Sequence, residues 1–126
     1  MIDHVSIGVR SLDKSSRFYE RVLATIGYSK LVTRAHTVGF GARYAEFWIN
    51  SRPDMPTVGA DTGNHVCLRA KSVEAVKSFH AAAIANGGTD DGAPGPRQYS
   101  KGSVFAAFIR DPDGNRIEVL TFPEGS

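Results

Sequence analysis

The segment Asp3-His4-Val5-Ser6-Ile7-Gly8-Val9 returns in altered form 61 positions later, as Asn64-His65-Val66-Cys67-Leu68-Arg69-Ala70. At the same spacing Ser11 meets Ser72, Leu12 meets Val73, Asp13 meets Glu74, Phe18 meets Phe79 and Gly27 meets Gly88. Further on, Ala45-Glu46-Phe47-Trp48-Ile49 resembles Ile117-Glu118-Val119-Leu120-Thr121, now 72 positions apart. A repeat of this period marks one supersecondary unit used twice, each copy burying its apolar face with help from the other. The 126 residues suffice for one compact domain with a core, whereas a half of about 60 residues is marginal alone. The expectation is a single domain over 1–126, with copies at 1–50 and 64–122 and a linker at 51–63.

Each copy reads as strand, helix and three strands. Residues 3–9 alternate, with Val5, Ile7 and Val9 opposite His4, Ser6 and Gly8, which is a half-buried strand. From Leu12 the period becomes helical, with Phe18, Tyr19, Val22, Leu23 and Ile26 on one stripe. Ser11 or Asp13 can cap its start and Gly27 its end. Residues 30–33, 37–41 and 44–50 are expected as strands, with a bend at Gly39 and Gly41. In the second copy 64–70 is a strand and Ser72 to Asn86 a helix, with Val73, Val76, Phe79, Ala83 and Ile84 inward. The Gly- and Pro-rich stretch Thr89 to Gly102 is expected as a loop, and as a candidate lid over a cavity. Strands at 103–110 and 116–122 flank Asp111-Pro112-Asp113-Gly114-Asn115, where Pro112 suits the first inner position of a tight turn and Gly114 the left-handed one.

Composition excludes several classes. A net charge of +2 gives no argument for nucleic acid or a membrane surface. No apolar run approaches the roughly 18 residues of a membrane span. The first residues lack a signal-peptide pattern, and the single Cys67 excludes an internal disulfide framework. A cytoplasmic location is the expectation.

Strand parity then sorts the polar side chains. If each helix covers the apolar face of its own module, Val5, Ile7, Phe47, Val66 and Val119 lie beneath helices. The opposite faces carry His4, Ser6, Glu46, Trp48, Asn50, His65, Cys67, Arg69 and Glu118, with Arg10 on the same side. Singly, each has an ordinary structural explanation: a strand histidine is usually a surface residue, Trp48 a packing residue, Cys67 an inert thiol. His36 is expected to be exposed and His80 to sit at a helix–sheet edge. A His and a Glu recurring together on one face of both copies are not required by packing. Two imidazoles and two carboxylates suit a borderline or hard divalent ion: Zn, Ni, Co, Mn or Fe.

These motifs resemble the vicinal oxygen chelate superfamily, which includes glyoxalase I, bleomycin and fosfomycin resistance proteins and extradiol dioxygenases. The resemblance rests on His4 to Val9, on Phe18-Tyr19 through Gly27-Tyr28, on Asn64-His65-Val66, and most specifically on Arg110-Asp111-Pro112-Asp113-Gly114-Asn115-Arg116-Ile117-Glu118. It implies an α+β fold of two paired βαβββ modules, whose curled mixed sheets surround a shared cavity. It implies metal ligands at His4, Glu46, His65 and Glu118, the residue types of bacterial glyoxalase I. Gly8 stands where glutathione-using members resemble one another in having Arg, while Asn50, four residues after Glu46, fits their pattern.

The implied activity is that of a lactoylglutathione lyase-like metalloenzyme acting on a small vicinal-oxygen carbonyl compound or its thiol adduct. The metal is then the Lewis acid, and Glu118 or Glu46 moves a carbon-bound proton. Trp48, Asn50, Arg69, Arg97, Tyr99, Lys101 and Phe105 are the candidates for holding substrate, with Arg97, Tyr99 and Lys101 gripping an anionic group. A binding protein of the bleomycin-resistance type, with Phe40, Trp48, Tyr99 and Phe105 as stacking surfaces, is the alternative. An extradiol dioxygenase is a third. A homodimer is expected, with the cavity built within one chain or between two.

Overall fold

A computed structural model describes residues 1–100 and 102–123. The chain runs β1 (Val5–Val9), α1 (Leu12–Ala24), β2 (Ser29–Thr33), β3 (Thr37–Gly41), β4 (Phe47–Ser51), β5 (Val66–Arg69), α2 (Val73–Ala85), β6 (Thr89–Tyr99), β7 (Gly102–Arg110) and β8 (Arg116–Thr121). Both copies have the same topology, with sheet orders β1-β4-β3-β2 and β5-β8-β7-β6. The first two strands of each order are parallel and the others antiparallel. This is the α+β arrangement of two βαβββ modules that the repeat implies.

The helices begin at the repeated serines. Ser11 accepts a hydrogen bond from the Lys14 amide and Ser72 from the Ala75 amide, satisfying amides that the first helical turn leaves unpaired. Helix α1 buries Phe18, Tyr19, Val22 and Leu23, and α2 buries Val76, Phe79 and Ala83. Ile84, expected inward, is exposed. The two helices pack together, and one hydrophobic cluster joins Val9, Phe47 and Ile49 of the first sheet with Ile109, Ile117 and Val119 of the second. Among the described residues no helix is long and apolar enough to cross a membrane.

The Asp-Pro-Asp-Gly-Asn hairpin between β7 and β8 fastens one module to the other. The buried Asp111 accepts from the Tyr19 hydroxyl at 2.6 Å. Asp113 accepts from the backbone and Nε of Arg10 and from Ser15 Oγ. Asn115 Nδ2 donates to the Gly8 carbonyl. Arg10 is therefore held in this clasp rather than on the trough face where parity had put it. Gly114 takes φ +91°, as the turn requires.

From Thr89 to Tyr99 the stretch expected as a loop and lid is a strand. Residues 89–99 form β6, paired with β7 from Thr89 opposite Arg110 to Tyr99 opposite Gly102, with register shifts around Gly92. β6 is an edge strand, so Pro94 and Pro96 can leave their missing donors on the unpaired side, and the bulges absorb the glycines.

Candidate active site

The strands carry the polar side chains to the faces turned away from the helices, as the alternation implies. Phe47, Ile49, Ile117 and Val119 are fully buried beneath the helices. Trp48 and Asn50 lie opposite them on the first sheet, and Cys67 is paired with Glu118 on the second. His4 and His65 each precede the first residue of an edge strand, and Glu46 precedes β4.

In the second module His65 Nε2 lies 3.0 Å from Glu118 Oε1, and the Tyr99 hydroxyl donates to Glu118 Oε2 at 2.7 Å. The Glu118 side chain is only 5% exposed, whereas that of His65 is 36% exposed. The carboxylate is thus fixed from both sides, with the imidazole forming its opening to solvent. The His65 ring also meets Phe108 edge-on at 5.6 Å, and the Arg116 guanidinium covers the same ring at 4.1 Å. Burial, then Glu118, pushes the Tyr99 phenol up to about 12, so it remains a donor at neutral pH. Cys67 is exposed, yet partial desolvation and the neighbouring Glu118 push its thiol up to about 12. It is a protonated, unreactive thiol at neutral pH.

The first module is built differently. His4 Nδ1 pairs with Asp3 at 2.7 Å on an exposed surface. Glu46 Oε2 accepts from Tyr28 at 2.7 Å, and burial, then this contact, pushes Tyr28 up to about 12. Tyr28 follows the glycine that ends α1 and had no signal in the spacing. His4 also lines an open hollow of about 390 Å³ with Ser6, Arg34, Thr37, Trp48 and Asn50. Glu46 lines a separate hollow of about 250 Å³, with His4, Tyr28 and the β5 residues Val66 to Arg69.

The metal expectation can be tested on the donors present. Two ligands each about 2.0–2.1 Å from one ion stand roughly 3 Å apart, and the His65–Glu118 pair has that separation. This half fits a divalent ion by donor type and spacing. Among the described residues of the single chain, no three His, Cys, Asp or Glu side chains are gathered as a metal set. His4 and Glu46 do not join the His65–Glu118 pair within one chain.

Trp48 and Asn50 face the first module's hollow, with Arg34 over the indole at 5.5 Å and Asn50 Oδ1 accepting from Thr37. Arg69 and Tyr99 line a hollow of about 420 Å³ with Cys67, Val104, Leu120 and Phe122, and the Arg69 guanidinium lies 4.8 Å from the Phe122 ring. Arg97 folds back onto the Ala93 and Pro96 carbonyls, and the Tyr99 hydroxyl is committed to Glu118, so neither is a free anion grip. Phe105 faces α2, where Lys77 approaches its ring, and Phe40 is wholly buried against Tyr19. Neither is a stacking surface, because both lie on the helix-covered side of their strands. Lys101 lies outside the described residues. His36 is exposed. His80 bonds Asp90 at the α2–β6 edge and holds that carboxylate below its usual range.

Sequence and structure comparisons agree with this architecture. The sequence model of the Glyoxalase/Bleomycin resistance protein/Dioxygenase superfamily matches residues 1–119. A protein of Synechocystis sp. (strain ATCC 27184 / PCC 6803 / Kazusa) named "Probable lactoylglutathione lyase" is 30% identical over 93% of this chain and 92% of its own. The crystal structure of a glyoxalase/bleomycin resistance protein from Albidiferax ferrireducens T118 superposes with a TM-score of 0.85 at 34% identity, covering 95% of this chain and 98% of that one. A lactoylglutathione lyase structure from Agrobacterium tumefaciens shares the fold at a TM-score of 0.66 and 18% identity, over 96% and 92% of the two chains.

Proposed function

Because this chain belongs to the glyoxalase/bleomycin resistance protein/dioxygenase superfamily, we propose that it is a glyoxalase-like, metal-dependent lyase or isomerase. Its substrate is a small carbonyl compound with neighbouring oxygens, or the thiol adduct of one. The observation that carries this reading is the His65–Glu118–Tyr99 constellation. It combines a metal-type donor pair with a carboxylate held at Oε2 by Tyr99 and at Oε1 by the half-exposed His65. The relative named as a probable lactoylglutathione lyase supports the same reaction class.

His65 and Glu118 are the donors of one half-site and His4 of the other, with Glu46 the repeat's candidate for a fourth. A bound divalent ion supplies Lewis acidity to the substrate's oxygens. Glu118 is the proton carrier: Tyr99 keeps Oε2 in place, and Oε1, on the side that His65 opens to solvent, takes a carbon-bound proton and returns it to the adjacent carbon. Arg69 and the hollow beside Phe122 hold the rest of the substrate. Cys67, protonated at neutral pH, takes no nucleophilic part.

Since the half-sites stand apart in one chain, the working molecule in this reading is a two-fold homodimer. The His4 side of one copy meets the His65–Glu118 side of the other. Protein reconstituted with Ni or Zn is tested by following thioester formation from a 2-oxoaldehyde and glutathione. Turnover is expected, with a loss of about 10²–10⁴ in Glu118→Gln, the range assigned to general acid–base groups. No turnover with any of several thiols, or full activity in Glu118→Gln, would refute the lyase.

One observation favours a second reading. Trp48 and Arg34 form a cationic, aromatic wall on an open hollow, which suits a planar ligand bound without chemistry. Tight ligand binding indifferent to EDTA is the result that would support it.

A further inference from the structure

The strand registers do not follow the letter repeat. In the first module Val5 is paired with Phe47 and Ser6 with Trp48. In the second, Val66 is paired with Ile117 and Cys67 with Glu118. The repeat matches Val5 to Val66 and Ser6 to Cys67. The position in the first module that corresponds to Glu118 is therefore Trp48, and Glu46 corresponds to Arg116.

The antiparallel neighbours agree. Trp48 is paired with Gly39, and Glu118 with Phe108. A Cβ at Gly39 would lie 2.9 Å from the Trp48 ring, so the glycine leaves room for the indole. In the second module the aromatic ring comes from β7 and the carboxylate from β8. In the first, the ring comes from β4 and the partner strand contributes no side chain. His4 shares its open hollow with Trp48, as His65 touches Glu118. Glu46 is one residue short of β4 and tied to Tyr28; it is absent from the hollow that His4 shares with Trp48, though His4 also borders the smaller hollow that Glu46 lines.

We infer that the metal site of this chain has three protein donors, His4, His65 and Glu118, with Trp48 as an uncharged wall in place of a second carboxylate. Glu46 is a structural partner of Tyr28 and not a ligand. This rests on the proposed metal function and departs from the four-donor set that the repeat implies. With an ion held there, the site would carry one carboxylate charge fewer than the four-donor set, and Trp48 would present an aromatic surface in place of that carboxylate.

Trp48 is the chain's only tryptophan, so its emission reports on the site directly. Wild type, Glu46→Gln and Glu118→Gln are titrated with Co(II) alone, reading metal affinity and tryptophan fluorescence, with circular dichroism to verify folding. The expected result is that Co(II) binds wild type and quenches most of the Trp48 emission. Glu46→Gln keeps the affinity within a few-fold. Glu118→Gln loses more than the roughly 10–100-fold typical of groups that only support a ligand. Equal losses in folded Glu46→Gln and Glu118→Gln, or Co(II) binding that leaves Trp48 emission unchanged, would overturn this assignment and leave the proposed function standing. Wild type that takes up no Co(II) would overturn both.

Discussion

Tyr19 shows how far one side chain can couple the two modules. It is fully buried against Phe18 and Phe47, and its hydroxyl reaches across to Asp111. Replacing it by Phe would strip a buried carboxylate of a donor while keeping the ring, at a cost of about 1–3 kcal/mol in urea unfolding at neutral pH. The pH dependence follows from the same contact. Burial, then the adjacent Asp111, pushes the Tyr19 phenol well above its usual value. Above about pH 10 the unfolded chain releases a proton that the folded chain keeps, so stability is level below that pH and falls above it. The buried Tyr19 adds a slope of about 1.4 kcal/mol per pH unit; Tyr28 and Tyr99, nearer to solvent and therefore screened, add smaller shares over the interval up to about 12. Tyr19→Phe should flatten the alkaline limb by one proton's share. An unchanged limb would mean that Tyr19 does not carry it.

At the scale of elements, the hairpin between β7 and β8 is the joint. A Cβ on Gly114 would stand 2.8 Å from the Val58 carbonyl oxygen, at a φ that side chains rarely adopt. Gly114→Ala should cost about 2 kcal/mol or more, seen as a lower urea midpoint. β6 gives a second test. As a strand paired along its length with β7, its amides should exchange with solvent more slowly than those of residues 52–65, which carry no helix or strand. Equal exchange would restore the lid that its composition suggests.

These elements also mark what the sequence could disclose. Alternation over Val5 to Val9 and the repeated serines were readable because periodicity and capping are local. β6 was hidden because Gly92, Pro94, Gly95 and Pro96 are loop residues by propensity, tolerated only by an edge position that topology confers. The pairing of Cys67 with Glu118, against Ser6 with Trp48, was hidden for a different reason. A slip of two residues leaves every side chain on its own face, so no alternation pattern registers it. The Tyr28–Glu46 and Tyr99–Glu118 bonds join residues whose proximity only the folded sheets create.

For the molecule as a whole, the proposed function requires that two half-sites, separated within each chain, be completed by a second copy. Removing the metal with a chelator should abolish turnover while leaving the folded core, whose buried residues include none of the exposed imidazoles. The most direct measurement mixes two defective proteins, His4→Ala and His65→Ala, after dissociation and reassociation, and assays bound divalent metal. Neither variant alone has an intact site. A mixed dimer has one site that lacks both histidines and one that lacks neither, so random pairing should restore about one quarter of the wild-type metal. No gain over the unmixed variants would contradict the shared site, and with it the proposed enzyme.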